Sequence, residues 1–289
     1  MRSSRAIPFA LSLPWVITLV AFWLFPLIYS FILGFTDYSL LGRGFAWVGL
    51  ANYANLLSDP DFLRSTWNTF VFVVGTIPVT TILSLGMALL LNRQFPGQGL
   101  FRGGFFLPWI TSMVVVALIF TNFYQRGGYV ALLAEAVGLT PPEYGFLYDS
   151  STALYSIMAM DVWMSLGYYM LIFLAGLKSI PDELYEAADV AGAGAWRKFS
   201  SITLPLLKPV LLFILVINSI KSFQVFVEIF VMTKGKFDTS TMVYFIYENG
   251  LTTNFAFGYA SAAAYILFGI IALLSAVQFF LLQRRRRLW

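Results

Sequence analysis

Three polar side chains interrupt an apolar stretch of the sequence at the spacing of one helix face. Asp161 lies in the middle of "MDVWMSLGYYM", with Ser165 four residues further on and Tyr168 seven residues further on. In a helix these three positions share a face, so their side chains point in the same direction. An ionisable group inside a long apolar segment is costly, and the pattern therefore indicates a functional position.

A second apolar stretch carries complementary polar groups. Asn218, Lys221 and Ser222 lie near its centre, with Gln224 and Glu228 further along the chain. Hydrogen-bonding groups beside aromatic faces form the mixture with which a protein recognises a polyhydroxylated ligand such as a sugar. The two stretches together supply that mixture, and we interpret them as a candidate path for a ligand of this kind.

Purely structural roles compete with that interpretation. Asp161 and Lys221 could form an ion pair between helices, which would neutralise two expensive groups without touching a ligand. The serines and Asn218 could likewise hydrogen-bond from one helix to another. The sequence leaves both alternatives open.

The elements that carry these residues are predicted to be membrane helices. The chain has 289 residues, of which 59% are hydrophobic and only 11% charged, far from the usage of soluble domains. Six stretches have the roughly 20 apolar residues that a spanning helix needs. They are residues 9–33, 67–91, 105–124, 153–175, 206–230 and 260–282. The first is too long for the core of a cleaved signal peptide, which predicts a retained helix.

Basic residues predict the direction in which the spans run. With a cytoplasmic N-terminus, twelve of the eighteen Lys and Arg residues fall inside, including Arg2, Arg5 and the run Arg284 to Arg287. An even number of spans places both termini on one side, and both termini carry arginine. The positive-inside rule therefore favours cytoplasmic N- and C-termini. The arginine run itself is interpreted as an anchor to anionic lipid.

Several kinds of chemistry are excluded by composition. The chain has no cysteine and no histidine, so it lacks the side chains of thiolate or imidazole metal sites and of Cys or His catalysis. No GxxxxGK[ST] motif occurs, which predicts that the chain does not hydrolyse ATP itself. A membrane enzyme would need a catalytic cluster near one interface, whereas Asp161 stands alone in its span. We therefore expect no catalytic residue, no metal site and no nucleic-acid partner.

The segment between the fourth and fifth spans differs from the rest of the chain. In "PDELYEAADVAGAGAWRKFSSITLPLLKP", residues 181–209, acids follow Pro181 where the positive end of a helix dipole favours them. The spacing predicts a helix from about Pro181 to Ala191 and a second short helix over 196–201, separated by a bend at Gly192 to Gly194. Its structural alternative is an amphipathic helix that only links two spans.

This segment resembles the EAA signature of the permeases of binding-protein-dependent ABC importers. "EAADVAG", nine further residues and "ITLP" follow the spacing of that family. Further similarity lies in "FRGGFFLPWITSMVVVALIF" and "FVMTKGKFDTSTMVYFIYENG", which are similar to the carbohydrate branch with its maltose and glycerol-phosphate importers. One departure is Lys234-Gly235-Lys236, where that branch usually has a glycine-rich turn.

The resemblance implies a fold, partners and site residues. It implies an all-α polytopic membrane protein of one domain with six spans, which works with a second homologous permease, two ATPase subunits that use ATP and Mg, and an extracytoplasmic sugar-binding protein. It also implies a bacterial or archaeal inner membrane. The implied coupling positions are Glu186, Ala187, Ala188, Asp189 and Gly192, and the implied sugar path comprises Trp109, Met113, Asp161, Ser165, Tyr168, Asn218 and Ser222.

Two other transport functions remain open at this stage. A permease for a glycerol phosphodiester or polyol phosphate would need more basic residues in its path than Lys221, the basic residue that the centres of the spans offer. A stand-alone secondary transporter would show internal inverted repeats and a site for a coupling ion. No repeat is evident, although Pro14, Pro26, Pro78 and Pro108 allow broken helices.

Overall fold

The protein is built from helices. A computed structural model describes residues 6–42, 45–93 and 95–283, and within these ranges it contains two isolated β-bridges and no strand. The residues Arg2, Arg5 and Arg284 to Arg287, on which the predicted orientation depends, lie outside the described residues. The predicted all-α membrane class is confirmed.

Most of the helices follow one another after short connections, and longer segments join α2 to α3 and α7 to α8. In chain order they are α1 Ala6–Leu19, α2 Phe25–Leu33, α3 Ala51–Ser58, α4 Pro60–Leu91, α5 Gln98–Ile110, α6 Met113–Phe123, α7 Tyr129–Ala136, α8 Ala153–Lys178, α9 Asp182–Val190, α10 Ala195–Lys198, α11 Leu204–Leu206, α12 Lys208–Phe223, α13 Val227–Met232, α14 Met242–Tyr247 and α15 Phe257–Gln283. Short π-helical turns at Val20–Leu24, Phe199–Thr203 and Glu248–Thr252 lie between some of them.

Five helical segments among the described residues are long and apolar enough to cross a membrane. They are Leu11–Leu33, Pro60–Leu91, Ala153–Leu177, Lys208–Met232 and Phe257–Phe280. The sequence predicts a further single span over 105–124, but the chain there forms α5 and α6, which meet at an angle of 95°. Thr111 has extended backbone angles at this bend, and its hydroxyl donates to the carbonyl oxygen of Leu107 at 2.9 Å. Pro108, which has no N–H to donate, weakens the last turn of α5.

The described residues fall into two compact units. The first comprises residues up to 63 together with Phe245–Phe268, and the second comprises Arg64–Tyr244 together with residues from Gly269 onward. In the first unit the hydroxyl of Tyr259 donates to the Asp59 carboxylate at 2.6 Å. The amide of Asn52 donates to two carbonyl oxygens, those of Gly34 at 3.0 Å and Thr36 at 2.8 Å. These hydrogen bonds give a donor to carbonyl oxygens just after the end of α2, where the helix itself supplies none.

The second unit holds two apolar clusters and the polar residues that the sequence singles out. One cluster includes Phe72, Ile157, Met160 and Ile229, all nearly inaccessible to solvent. The other includes Tyr169, Met170, Phe173, Leu207 and Ile214. Because α8 contributes to both clusters, it is the central helix of this unit, and Asp161 lies on it.

A glycine allows α5 and α8 to approach closely. A β-carbon at Gly167 would collide with the backbone of Phe105, whereas one at Gly103 on α5 would meet nothing within 4 Å. Small residues at such crossings let membrane helices pack backbone to backbone. We expect Gly167→Val to destabilise the chain by about 2–3 kcal/mol because the helices must separate. Thermal unfolding in detergent tests this expectation, with Gly103→Val as the control; equal melting temperatures for the two variants would contradict it.

Candidate functional site

A largely buried triad, in which only the lysine is half-buried, links α8 to α12. The ammonium of Lys221 on α12 donates to a carboxylate oxygen of Asp161 at 2.6 Å and to the hydroxyl of Ser165 at 2.6 Å. Asp161 is 2% exposed, and Ser165 is fully buried. Asp161 and Ser165 lie one helical turn apart, so a single ammonium reaches both of them. The ion pair between Asp161 and Lys221, one of the alternatives that the sequence left open, is therefore present. The same ammonium also donates to Ser165.

Aromatic rings cover one side of this triad. The ammonium of Lys221 lies 5.3 Å from the centre of the Trp109 ring, a distance at which the ring face attracts a cation. Trp109 is stacked on Tyr168, with ring centres 4.3 Å apart and ring planes 13° apart. Trp109 comes from α5 and Tyr168 from α8, so the close crossing at Gly167 is what brings the two rings together.

The remaining polar residues of α12 form a looser group. Ser222 lies 3.4 Å from the amide oxygen of Asn218 and 3.4 Å from the hydroxyl of Thr76 on α4. These distances are long for hydrogen bonds that involve a hydroxyl. The amide nitrogen of Asn218 has no hydrogen-bond partner among the described residues, although Asn218 is 1% exposed. A buried donor without a partner loses free energy unless a ligand or a water accepts from it.

Most of the residues predicted for the sugar path thus lie on facing helices of one unit. Asp161, Ser165, Trp109 and Tyr168 are joined through contacts with Lys221 or with one another. Asn218 and Ser222 are buried on the helix that carries Lys221. Met113 begins α6 beyond the 95° bend, where it packs against an apolar cluster that includes Met164 and Val116.

Two members of this region, Thr76 and Tyr169, were not predicted from the sequence, and a third, Glu228, was noted there only as a polar residue further along the second stretch. Thr76 on α4 contacts Ser222, and the hydroxyl of the fully buried Tyr169 has no hydrogen-bond partner within the part of the chain that the structure describes. Glu228, near the start of α13, is 5% exposed and interacts electrostatically with Asp161 and Lys221. Glu228 carried a signal in the sequence as a second acid in an apolar stretch. Thr76 and Tyr169 carried none, because Thr and Tyr are common in membrane helices for other reasons.

The predicted coupling residues lie on α9 and at its end. Glu186, Ala187 and Asp189 are exposed, and Ala188 is half-buried. Gly192 follows the helix with a φ of +70°, the left-handed conformation that favours glycine after a helix end. Asp189 forms an ion pair with Lys198 on α10, and the hydroxyls of Tyr185 and Thr203 lie 2.9 Å apart. These contacts hold α9 against the chain that follows it. At the end of α9, the side chain of Val190 is 93% exposed.

The amino-acid sequence of the chain is similar to those of known proteins. The sequence profile of the family described as "Binding-protein-dependent transport system inner membrane component" matches residues 62–287. The arabinooligosaccharide permease AraP of Bacillus subtilis is 32% identical over 283 residues, which cover 95% of this chain and 88% of that protein. The lactose permease LacF of Rhizobium radiobacter is 31% identical over 94% of this chain and 93% of its own length.

Structure comparison supports the same fold. A chain from the crystal structure of a bacterial alginate ABC transporter, in complex with an alginate pentasaccharide-bound periplasmic protein, superposes with a TM-score of 0.84. The superposition covers 97% of this chain and 95% of that chain at 22% sequence identity.

Proposed function

Because the chain belongs to the family of binding-protein-dependent transport system inner membrane components, we propose that it is a membrane-spanning permease subunit of an ATP-driven sugar importer. The observation that carries this proposal is the similarity, over more than nine-tenths of the chain, to permeases named for oligosaccharide and lactose transport. The substrate class is an oligosaccharide or glycoside. The chain contributes half of the translocation path and performs no chemistry itself.

The importer needs subunits that this chain does not provide. A second homologous permease completes the path, and two ATPase subunits bind and hydrolyse ATP with Mg. An extracytoplasmic binding protein delivers the sugar, as a periplasmic protein accompanies the alginate transporter of similar fold. The assembly lies in the inner membrane of a bacterium or archaeon, with both termini of this chain in the cytoplasm as the distribution of basic residues favours.

Coupling to the ATPase subunits is assigned to α9. Glu186, Ala187, Ala188 and Gly192 hold the family spacing, and Asp189 lies among them. The helix projects acidic and small side chains into solvent. Its ion pair with α10 and its hydroxyl contact with Thr203 make α9 part of a firm unit. A firm unit can transmit a displacement to α12, because α11 and α12 follow Thr203 directly.

The buried triad and its aromatic cover form the proposed sugar contact of this subunit. Sugar hydroxyls can donate to Asp161 and accept from Lys221, and a sugar ring can stack against Trp109 or Tyr168. The amide of Asn218 offers a donor that no group of residues 6–42, 45–93 or 95–283 uses. When ATP binding closes the two ATPase subunits, α9 and the equivalent helix of the second permease approach each other, and the path opens outward. ATP hydrolysis returns the path to the inward-open state.

Purification of the tagged chain tests the assembly. Extraction in mild detergent from the native cells, followed by mass spectrometry, is expected to recover a second permease and an ATPase with a Walker motif. The chain has no cysteine, so a single cysteine introduced at Ala187 can also crosslink α9 to its neighbour without background. Recovery of the chain alone, even after this crosslinking, would contradict the proposed importer and favour a self-contained transporter.

A further inference from the structure

The short helix α7, between α6 and α8, exposes large apolar side chains on one face. Its opposite face is held by the protein: Ala131 is 2% exposed, and Val130 packs against the first apolar cluster of the second unit. Tyr129 and Leu133 are 69% and 68% exposed, and Leu132 beside them is 54% exposed. Positions three and four residues apart form one continuous strip on a helix. The face of α7 that points away from the core is therefore apolar as well.

The acid of α7 lies beside this strip and not on it. Glu135 is six residues after Tyr129 and therefore about 120° away around the helix. Val137, just after the helix, continues the strip and is 74% exposed. Apolar surface left in water costs about 25 cal/mol per Å², which favours a partner that covers it. We call these exposed apolar residues, Tyr129, Leu132, Leu133 and Val137, the α7 strip.

The start of α7 is tied to the end of α6. The ring of Phe123, the last residue of α6, makes an edge-on contact with the ring of Tyr129, with ring centres 5.3 Å apart. A β-carbon at Gly128, the residue before α7, would lie 2.5 Å from the carbonyl oxygen of Phe123. Only glycine allows the chain to return so close to the helix that it has just left. Helix α7 therefore begins at the level at which α6 ends.

This level is also the start of α8. The hydroxyl of Tyr124, the residue after α6, donates to the carbonyl oxygen of Ser156 in the first turn of α8 at 2.8 Å. The span Ala153–Leu177 has 25 residues. A helix of this length is about 38 Å long, which exceeds the roughly 30 Å of hydrocarbon in a bilayer. The first turn of α8, and α7 beside it, thus lie at the level of the lipid headgroups.

We propose that α7 is an interfacial helix whose strip lies in the lipid bilayer just below the headgroups. The eight residues of α7 extend over about 12 Å, which is too short to cross the membrane. Helices that lie in the interface combine an apolar face with a polar edge, and tyrosine is enriched at this level. In this position the strip anchors the chain between α6 and α8 to the membrane surface. The inference goes beyond the proposed function, because it depends on where α6 and α8 lie in the membrane and not on transport.

A protein partner, such as a second permease or a binding protein, is the competing occupant of the strip. Interfaces between proteins carry about one hydrogen bond per 100–200 Å², so a partner of this kind needs polar groups to pair with. The strip offers one such side-chain group, the hydroxyl of Tyr129. Lipid chains need no hydrogen bonds, and the strip carries no charge that would select a headgroup. The chemistry of the strip therefore favours lipid.

The depth of spin labels in the bilayer tests the inference. The chain has no cysteine, so Leu133→Cys and Glu135→Cys can each be labelled without background. The full chain, with the subunits that copurify with it, is placed in nanodiscs of phosphatidylcholine. Collision rates are measured with oxygen, which concentrates in lipid, and with a nickel chelate, which stays in water. The label at position 133 is expected about 5–10 Å below the phosphates.

Glu135→Cys is the matched control, because Glu135 lies on the polar edge of the same helix. The ratio of oxygen to nickel collision rates is expected to be several times higher at position 133 than at position 135. Leu132→Cys, on the same strip, is expected to resemble Leu133→Cys and provides a second position if that variant does not fold.

Three results would overturn the inference. A label on the strip that collides mainly with nickel would place the strip in water. A label shielded from both reagents would show that a protein covers the strip. Equal ratios at positions 133 and 135 would mean that α7 has no lipid-facing side. The measurement requires no sugar uptake, so a failure of the proposed transport function would be seen separately.

Discussion

The variant Glu186→Lys is expected to abolish ATP-driven sugar uptake while the chain remains folded and inserted. Glu186 is exposed on α9 and makes no hydrogen bond or ion pair with any residue that the structure describes. Replacing it therefore removes no support from the chain itself. At an interface with the ATPase, however, the new lysine would face the ATPase groups that bound the Glu186 carboxylate. Such a reversal of a buried interface charge costs several kcal/mol of binding free energy. Several kcal/mol correspond to a loss of about a hundredfold or more.

The measurement is uptake and ATP hydrolysis by importers reconstituted with each variant. Glu135→Lys is the matched control, because Glu135 is also an exposed acid on a short helix, α7, in a predicted outer loop. We expect the control to transport normally. Normal uptake by Glu186→Lys, with ATP hydrolysis still coupled to transport, would contradict the assignment of α9 as the coupling helix.

Removal of Lys221 is the second change with a large expected effect. In Lys221→Met the carboxylate of Asp161, whose side chain is only 3% exposed, would remain buried without a counter-charge. Breaking one side of a buried ion pair costs about 3–5 kcal/mol. We therefore expect this variant to accumulate poorly and to fail to assemble with its partner subunits. Lys208→Met, at the start of the same helix, is the control for loss of a lysine and is expected to assemble.

The double variant Asp161→Asn/Lys221→Met separates packing from transport. It removes both charges of the pair, so assembly is expected to recover relative to Lys221→Met. Uptake is expected to stay at least about tenfold below the wild type, because hydrogen bonds from a sugar to charged groups are lost, each worth about 1.5–3 kcal/mol. Uptake at the wild-type level would mean that Asp161 and Lys221 form a structural ion pair that does not touch the sugar.

The sequence by itself was sufficient for the class of protein and for its family. Whether a segment suits hydrocarbon depends on a sum over about 20 neighbouring residues, which needs no knowledge of packing. The family likewise rests on fixed spacings along the chain, such as the one from Glu186 to Pro205, and the comparisons confirm it. The six-span topology, the coupling positions and the sugar path stay predictions.

Only the tertiary structure decided which polar groups meet. Asp161 and Lys221 are 60 residues apart in sequence, and their pairing depends on how α8 and α12 are rotated toward each other. The stacking of Trp109 on Tyr168 depends on the close crossing at Gly167.

The backbone conformation at two places also could not be predicted from the sequence. The 95° bend between α5 and α6 interrupts a stretch whose hydropathy is continuous. Between α13 and α14, the residues Lys234, Phe237 and Asp238 have left-handed backbone angles although none of them is glycine. The three left-handed residues lie where Arg64 and Asn68 of α4 contact the chain, whereas the bend also has a local cause, since Pro108 weakens the last turn of α5. Hydropathy and spacing are properties of neighbouring residues, whereas pairing and strain are set by residues that are distant in sequence.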